Sequence, residues 1–260
     1  MGRAIRFQLR RGARRTLQEF DRLLDDTYGA PEVDLDNKDD PLDEAVYIIL
    51  TFQTDLDRFK LVWEDLRTTF PTWEQLAQAP LCRVVKVLRL GGLQEQKART
   101  IRKLLEAARE ATGSYSLDVL YDMDNDEAER FLTRLPGLSW KAARCVLLYS
   151  LGRDVFPVDG NSFRIFKRAG VIGDQSVYRR RGLHDRLQDA IDDSRRKPFH
   201  INLVVHGQRT CLPRRPHCPS CAARSTCLMR GVPADIRASV RADRISDSGA
   251  VSDSRTRDRA

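Results

Sequence analysis

The stretch Asp124–Gly152, DNDEAERFLTRLPGLSWKAARCVLLYSLG, holds two amphipathic helical patterns joined by a very short turn. Pro136 and Gly137 end the first pattern, because proline removes a donor and glycine suits a left-handed terminus. The second pattern starts near Trp140, so Leu135–Lys141 is the connection of a helical hairpin. The first turn of a helix leaves backbone N–H groups unpaired, and these form a natural cradle for a phosphate. Most Leu-Pro-Gly turns are simple connectors, so the turn alone leaves both readings open. Lys141 is by default a solvated or phosphate-contacting side chain. The sharper alternative is an amine nucleophile, which needs a neutral amine and hence burial or nearby positive charge.

Working outward, the chain reads as all-α. PLDEAVYIILTFQ is apolar enough for an almost wholly buried helix, and DRFKLVWEDLRTTF repeats apolar residues at three and four. Thr72 with Gln75 fits a capping box, and EQKARTIRKLLEAAREATG is a long amphipathic helix with Gly113 as its C-cap. After Pro157, helices are expected near NSFRIFKRAG and from about Leu183 to Ser194. Residues 30–44 are acidic and contain Pro31 and Pro41, which suggests a boundary or a solvated loop. Cys82 and Cys145 sit in apolar helical patterns and read as buried small hydrophobes.

Cys211, Cys218, Cys221 and Cys227 follow C-x6-C-x2-C-x5-C spacing in RTCLPRRPHCPSCAARSTC. Four thiolates this close together read as one soft-metal site. A [4Fe–4S] cluster takes one cysteine per iron and suits a single compact loop. Structural zinc usually pairs two close knuckles, and here only Cys218 and Cys221 form one. Zinc and disulfides remain the alternatives. His206 and His217 read as a hydrogen-bonding residue and a surface residue. Arg209, Arg214, Arg215 and Arg224 give the loop a basic face, which is solvated surface by default and a phosphate contact if a duplex lies beside it.

The 260 residues carry a net charge of +8, which favours polyanionic partners. No apolar run is long enough to cross a membrane, and the basic N-terminus lacks the apolar core of a secretory signal. Clustered cysteines suggest a reducing, cytoplasmic setting. Residues 1–14 are expected to be flexible. The last thirty residues, 231–260, hold six arginines and five aspartates with few large apolar residues, and read as a solvated tail.

LPGLSWKAARCVLL, then VFPVDGNSFRIFKRAG, then HGQRTC and the cysteine loop, together resemble the endonuclease III branch of the helix–hairpin–helix DNA glycosylases. The resemblance covers roughly residues 40–228, and the cysteine spacing agrees throughout. It implies a six-helix domain at 41–153 and an iron–sulfur domain built from 15–40 with 154–230, with DNA bound between them. It implies a [4Fe–4S] cluster on the four cysteines and a double-stranded DNA partner carrying a damaged base or abasic site. It also implies Lys141 as the nucleophile that attacks C1′ and expels the base, and Asp159 as the carboxylate that assists. Asp159 reads equally as a cap for the following helix, and both roles are compatible. Gln53, in ILTFQTD, matches the residue that contacts the orphaned base. Leu93, in GGLQEQKA, matches the wedge that fills the vacated stack, although core packing is its bland reading.

Some positions depart from the family pattern. The hairpin has Gly137-Leu138-Ser139, where a second glycine usually replaces serine; Ser139 keeps the N–H but is expected to tolerate an unusual backbone angle less well. Trp140 replaces a basic residue, Gln94 a tyrosine, and Asn161 a histidine. The Asp-Gly-Asn run is closer to adenine-mismatch glycosylases, yet their catalytic glutamate would fall at Ile48. The leading expectation is a monomeric glycosylase with abasic-site lyase activity on oxidised pyrimidines, without a magnesium requirement. A mismatch or ultraviolet-damage pyrimidine glycosylase and a non-catalytic damage-sensing protein are the alternatives.

Overall fold

The computed structural model describes residues 9–29, 35–54 and 56–250. The expectations for residues 1–8, Pro31 and the segment after 250 lie outside these. Among the described residues every regular element is helical: α1 (Ala13–Tyr28), α2 (Pro41–Thr51), α3 (Leu56–Thr69), α4 (Trp73–Gln78), α5 (Leu81–Val87), α6 (Gln94–Thr112), α7 (Asn125–Arg134), α8 (Trp140–Tyr149), α9 (Gly160–Ala169), α10 (Arg181–Asp189), α11 (Arg196–Arg209) and α12 (Ala234–Ala250). No described helix is long and apolar enough to cross a membrane. The chain divides into a central unit, residues 34–157, and a flanking unit made of 1–33 with 158–260.

In the central unit α2 is the core helix. Asp40 caps it by accepting from the Leu42 and Asp43 N–H groups, and Pro41 occupies its first turn, where no donor is needed. Every residue from Pro41 to Leu50 except Asp43 is buried. Tyr47 packs edge-on against Phe59 and Trp63, with ring centroids 5.2 and 5.4 Å away. Each fully buried side chain of this size contributes about 1.5–3 kcal/mol. The Thr72 hydroxyl accepts from the Gln75 N–H, which is the N-cap half of the expected box, and Gly113 closes α6 with φ +80°, as the sequence suggests.

The hairpin helices α7 and α8 pack on each other. Asp124 and Glu127 form a capping box at the start of α7. Glu129 on α7 and Arg144 on α8 form a buried ion pair that ties the two helices together. Both lie on helices whose charged residues the sequence pattern assigns to solvent. Burial becomes tolerable because each charge meets its partner.

In the flanking unit α1 and α9 both pack on α11. Leu17, Phe20 and Leu24 form the buried stripe of α1. Arg195 bridges Asp21 and Asp25 of α1, with N–O distances of 2.7 and 3.0 Å, and these contacts raise its guanidinium further above its ordinary value.

Two expectations need correction. Cys82 is exposed, because the inward face of α5 is formed by Val84 instead. Residues 234–250 form a helix, not a solvated tail, and Ile236 and Val240 are buried at one i, i+4 spacing. A stripe this narrow, among many arginines and aspartates, barely registers in composition.

Candidate active site and cysteine loop

In the central unit, Leu135 ends α7 and Ser139 starts α8. Gly137 has φ +86°, and a Cβ there would lie 2.4 Å from Thr100 Cγ2 and 3.3 Å from Ile49 Cδ1. Both the angle and the close approach of α2 and α6 require glycine. Ser139 corrects the expectation of an awkward backbone: its φ is −91° and ψ 174°, ordinary extended values. Its hydroxyl accepts from the Ala142 N–H at 3.4 Å, so it serves as the N-cap. Gly137 and Ser139 are both exposed at the turn.

Lys141 occupies the first turn of α8 and is half-buried. Glu44 of α2 is wholly buried and lies close enough for the Lys141 charge to act on it. Its oxygens accept from the Asn37 side chain at 2.6 Å and the Lys38 N–H at 2.8 Å. Burial pushes the Glu44 carboxyl up to about 7, against the opposing effect of those bonds and of the Lys141 and Lys38 charges. Sequence reading missed Glu44, since an acid in a helix's first turn reads as a dipole partner.

Gln53 and Leu93 are both exposed, on separate loops of the same unit. Both have left-handed backbones, with φ +52° and +48°. For a residue with a Cβ this conformation costs about 1–2 kcal/mol. Leu93 is 43% exposed, so core packing is not its role. Phe52 and Leu90, on the same two loops, are likewise exposed and were not singled out from the sequence.

In the flanking unit, Asp159 caps α9. Its Oδ1 accepts from the Ser162 N–H at 2.7 Å and hydroxyl at 2.8 Å; its Oδ2 accepts from Asn161 Nδ2 at 2.9 Å. It is 8% exposed. Arg164 donates to Asn161 Oδ1 and to the Gly207 and Cys211 carbonyls, which links the Asp159 surroundings to the cysteine loop. A Cβ on Gly207 would lie 2.6 Å from Asn161 atoms, so this glycine gives Asn161 its room.

Cys211, Cys218, Cys221 and Cys227 all line one small cavity, with Phe20, Ile165 and Val232 among the apolar residues around it. Among the described residues, no three His, Cys, Asp or Glu side chains stand where they would share a single metal ion. The Arg168 guanidinium, 7% exposed, donates to Cys211 Sγ at 3.2 Å and to the Leu212 and Pro213 carbonyls at 2.7 Å. The Met229 N–H donates to Cys227 Sγ at 3.3 Å. Burial pushes the Cys221 thiol up to about 11 and the Cys227 thiol up to about 12. His206 is buried with Nδ1 3.0 Å from the Tyr28 hydroxyl and Nε2 3.8 Å from Cys221 Sγ. His217 is exposed. Arg214 and Arg215 are exposed, and Arg215 pairs with Asp235 of α12 at 2.9 Å.

The chain belongs to the HhH-GPD superfamily of base excision DNA repair proteins, whose family model matches residues 46–183. It is 28% identical over 167 residues to an Arabidopsis thaliana protein named as a candidate DNA glycosylase, covering 64% of this chain and 56% of that one. It is 28% identical over 156 residues to endonuclease III of Sulfolobus acidocaldarius, covering 60% of this chain and 66% of that one. The chain thus spans between about half and two thirds of the length of these relatives. Its fold is similar to that of an endonuclease III in a non-covalent DNA complex, with a TM-score of 0.71 at 21% identity over 82% of this chain and 94% of the other.

Proposed function

We propose that the chain is a DNA glycosylase with abasic-site lyase activity, removing oxidised pyrimidines from duplex DNA. The observation that carries this reading is the half-buried Lys141 in the first turn of α8, beside the buried Glu44 carboxyl. The amine attacks C1′ of the extruded nucleotide, the C1′–N bond to the base breaks, and the base leaves with its electron pair and takes up a proton; the new amine then gives up its proton as the C1′–O4′ bond breaks, O4′ takes up a proton, and the opened sugar is held as an imine. The resulting imine acidifies the C2′ proton, whose removal expels the 3′ phosphate by β-elimination. Asp159 supplies a carboxylate to offset positive charge developing on the sugar. The hairpin N–H groups around Gly137 and Ser139 take a phosphate, with Arg214 and Arg215 as further phosphate contacts. Gln53 and Leu93 occupy the space of the flipped base. The 41–153 stretch acts as the hairpin domain, and 15–40 with 154–230 as the cluster domain.

The cysteine cavity supports a [4Fe–4S] cluster. A single zinc holds its thiolates about 2.3 Å from the ion and so about 3.8 Å from one another. A cubane spreads four thiolates over four irons. Four cysteines that line one cavity supply one thiolate for each iron, and the Arg168 and Met229 donors suit the cluster's anionic sulfurs. When bound, the cluster ties four points of the loop to one rigid group.

The test compares strand cleavage on duplexes holding thymine glycol, uracil, a mismatched thymine or a bare abasic site. Thymine glycol and the abasic site are expected to be cut, with Lys141→Ala inactive on both. Preference for the mismatch would move the substrate to the alternative reading, and no cleavage of any duplex by iron-replete protein would remove the catalytic one. Iron analysis should give about four irons per chain, with broad absorption near about 400 nm.

A further inference from the structure

Lys97, in the first turn of α6, is 3% exposed. Its ammonium donates to the Leu50 carbonyl at 2.8 Å, the Thr54 hydroxyl at 2.6 Å and the Gly91 carbonyl at 2.8 Å. Its three N–H bonds therefore meet three acceptors, all neutral. The Thr54 hydroxyl also lies 2.6 Å from the Gly91 carbonyl. Two of the acceptors, Leu50 and Thr54, flank the left-handed Gln53; the third lies two residues before the left-handed Leu93. The Lys97 N–H itself donates to the Leu93 carbonyl at 2.9 Å. One side chain thus fastens both strained loops.

A buried ammonium held by these three neutral groups is a costly way to fill space, since a methionine would fill it without a desolvated charge. What the charge supplies is a joint anchor. The loops it joins expose Phe52, Leu90 and Leu93, apolar residues that gain nothing from water. We propose that Lys97 is a positioning residue that sets the Gln53 and Leu93 loops at a fixed separation, so that both enter the base stack together when a nucleotide is extruded. This deepens, and rests on, the reading of Gln53 and Leu93 as DNA contacts. The ammonium touches neither DNA nor the reacting sugar; it acts through the two loops.

The experiment measures binding to a duplex with a tetrahydrofuran abasic analogue and to the same duplex intact. It is run on cluster-loaded wild type, Lys97→Met, Gln53→Ala, Leu93→Ala and Lys97→Met/Leu93→Ala. Methionine keeps the volume of Lys97 and removes its donors. The preference for the abasic duplex is expected to fall about tenfold in Lys97→Met. Affinity for intact duplex, which rests on phosphate attraction, should change by less than about twofold. Leu93→Ala should add little in the Lys97→Met background, since the wedge is already misplaced. Amide hydrogen exchange should quicken in both loops, 50–54 and 90–94. A folded Lys97→Met with wild-type preference or unchanged exchange in these loops overturns the proposal. If Gln53→Ala and Leu93→Ala both keep wild-type preference, the DNA-contact reading fails instead, and the proposal falls with it. Should Lys97→Met not fold, Thr54→Ala decides by the same two readouts, because it removes one strut and leaves the ammonium in place.

Discussion

Glu44 departs furthest from what its place in the sequence suggests. Its free-chain value is 4.5 and burial raises it to about 7 in the folded protein. Between these values the folded protein holds a proton that the unfolded chain has released. The contribution of Glu44 to stability is therefore greatest below the lower value, and it falls as pH rises through the window. Denaturant unfolding from about pH 5 to about pH 8 should show this loss, on the order of 3 kcal/mol, with Glu44→Gln flatter by that amount. Equal slopes for the two proteins would place the titration elsewhere. At this scale the sequence shows capping well. Asp159 at the head of NSFRIF reads as a cap, and it is one. It does not show Glu44, Lys97 or Arg168. Each is a charged residue in a helical pattern, where the default is solvent, and only the packing of other elements buries it.

The hairpin is the element on which the functional reading turns, and it was legible because its signals are local. Pro136-Gly137 stops one helix, and Ser139 caps the next three residues before Ala142. The ends of α7 and α8 need no long-range information. The reason Gly137 must be glycine is different: it lies in Thr100 and Ile49, on α6 and α2. Gly137→Ala should thus destabilise the protein by about 2 kcal/mol or more, through both the left-handed angle and the clash. It should also weaken binding to damaged and intact duplex alike, because on the proposed function the turn takes a backbone phosphate and reads no base. Unfolding midpoints together with fluorescence anisotropy on both duplexes check this. Loss of discrimination with intact-duplex affinity retained would contradict it. The helix at 234–250 was not legible, because two buried residues in a polar segment are too few for a pattern. It also changes the view of the basic face, since Asp235 of that helix takes up Arg215.

At the scale of the molecule, the two groups assigned to the chemistry come from different compact units: Lys141 from residues 34–157 and Asp159 from the unit that begins at 158. Nothing in the spacing of a lysine and an aspartate eighteen residues apart pairs them; the roles proposed for them rest on resemblance. The cysteine loop was visible from spacing alone, and the structure brings its four sulfurs around one cavity. Arg168, which binds that loop through Cys211, Leu212 and Pro213, could not be foreseen, because its partners are a cysteine sulfur and backbone carbonyls more than forty residues away. The central claim is that Lys141 is the nucleophile. Its most direct test is borohydride trapping on an abasic duplex, followed by peptide mass spectrometry of the covalent complex. The account predicts one crosslinked peptide, carrying the adduct on Lys141 and absent from Lys141→Ala. A crosslink on the N-terminal amine or on another lysine, undiminished in Lys141→Ala, would contradict it.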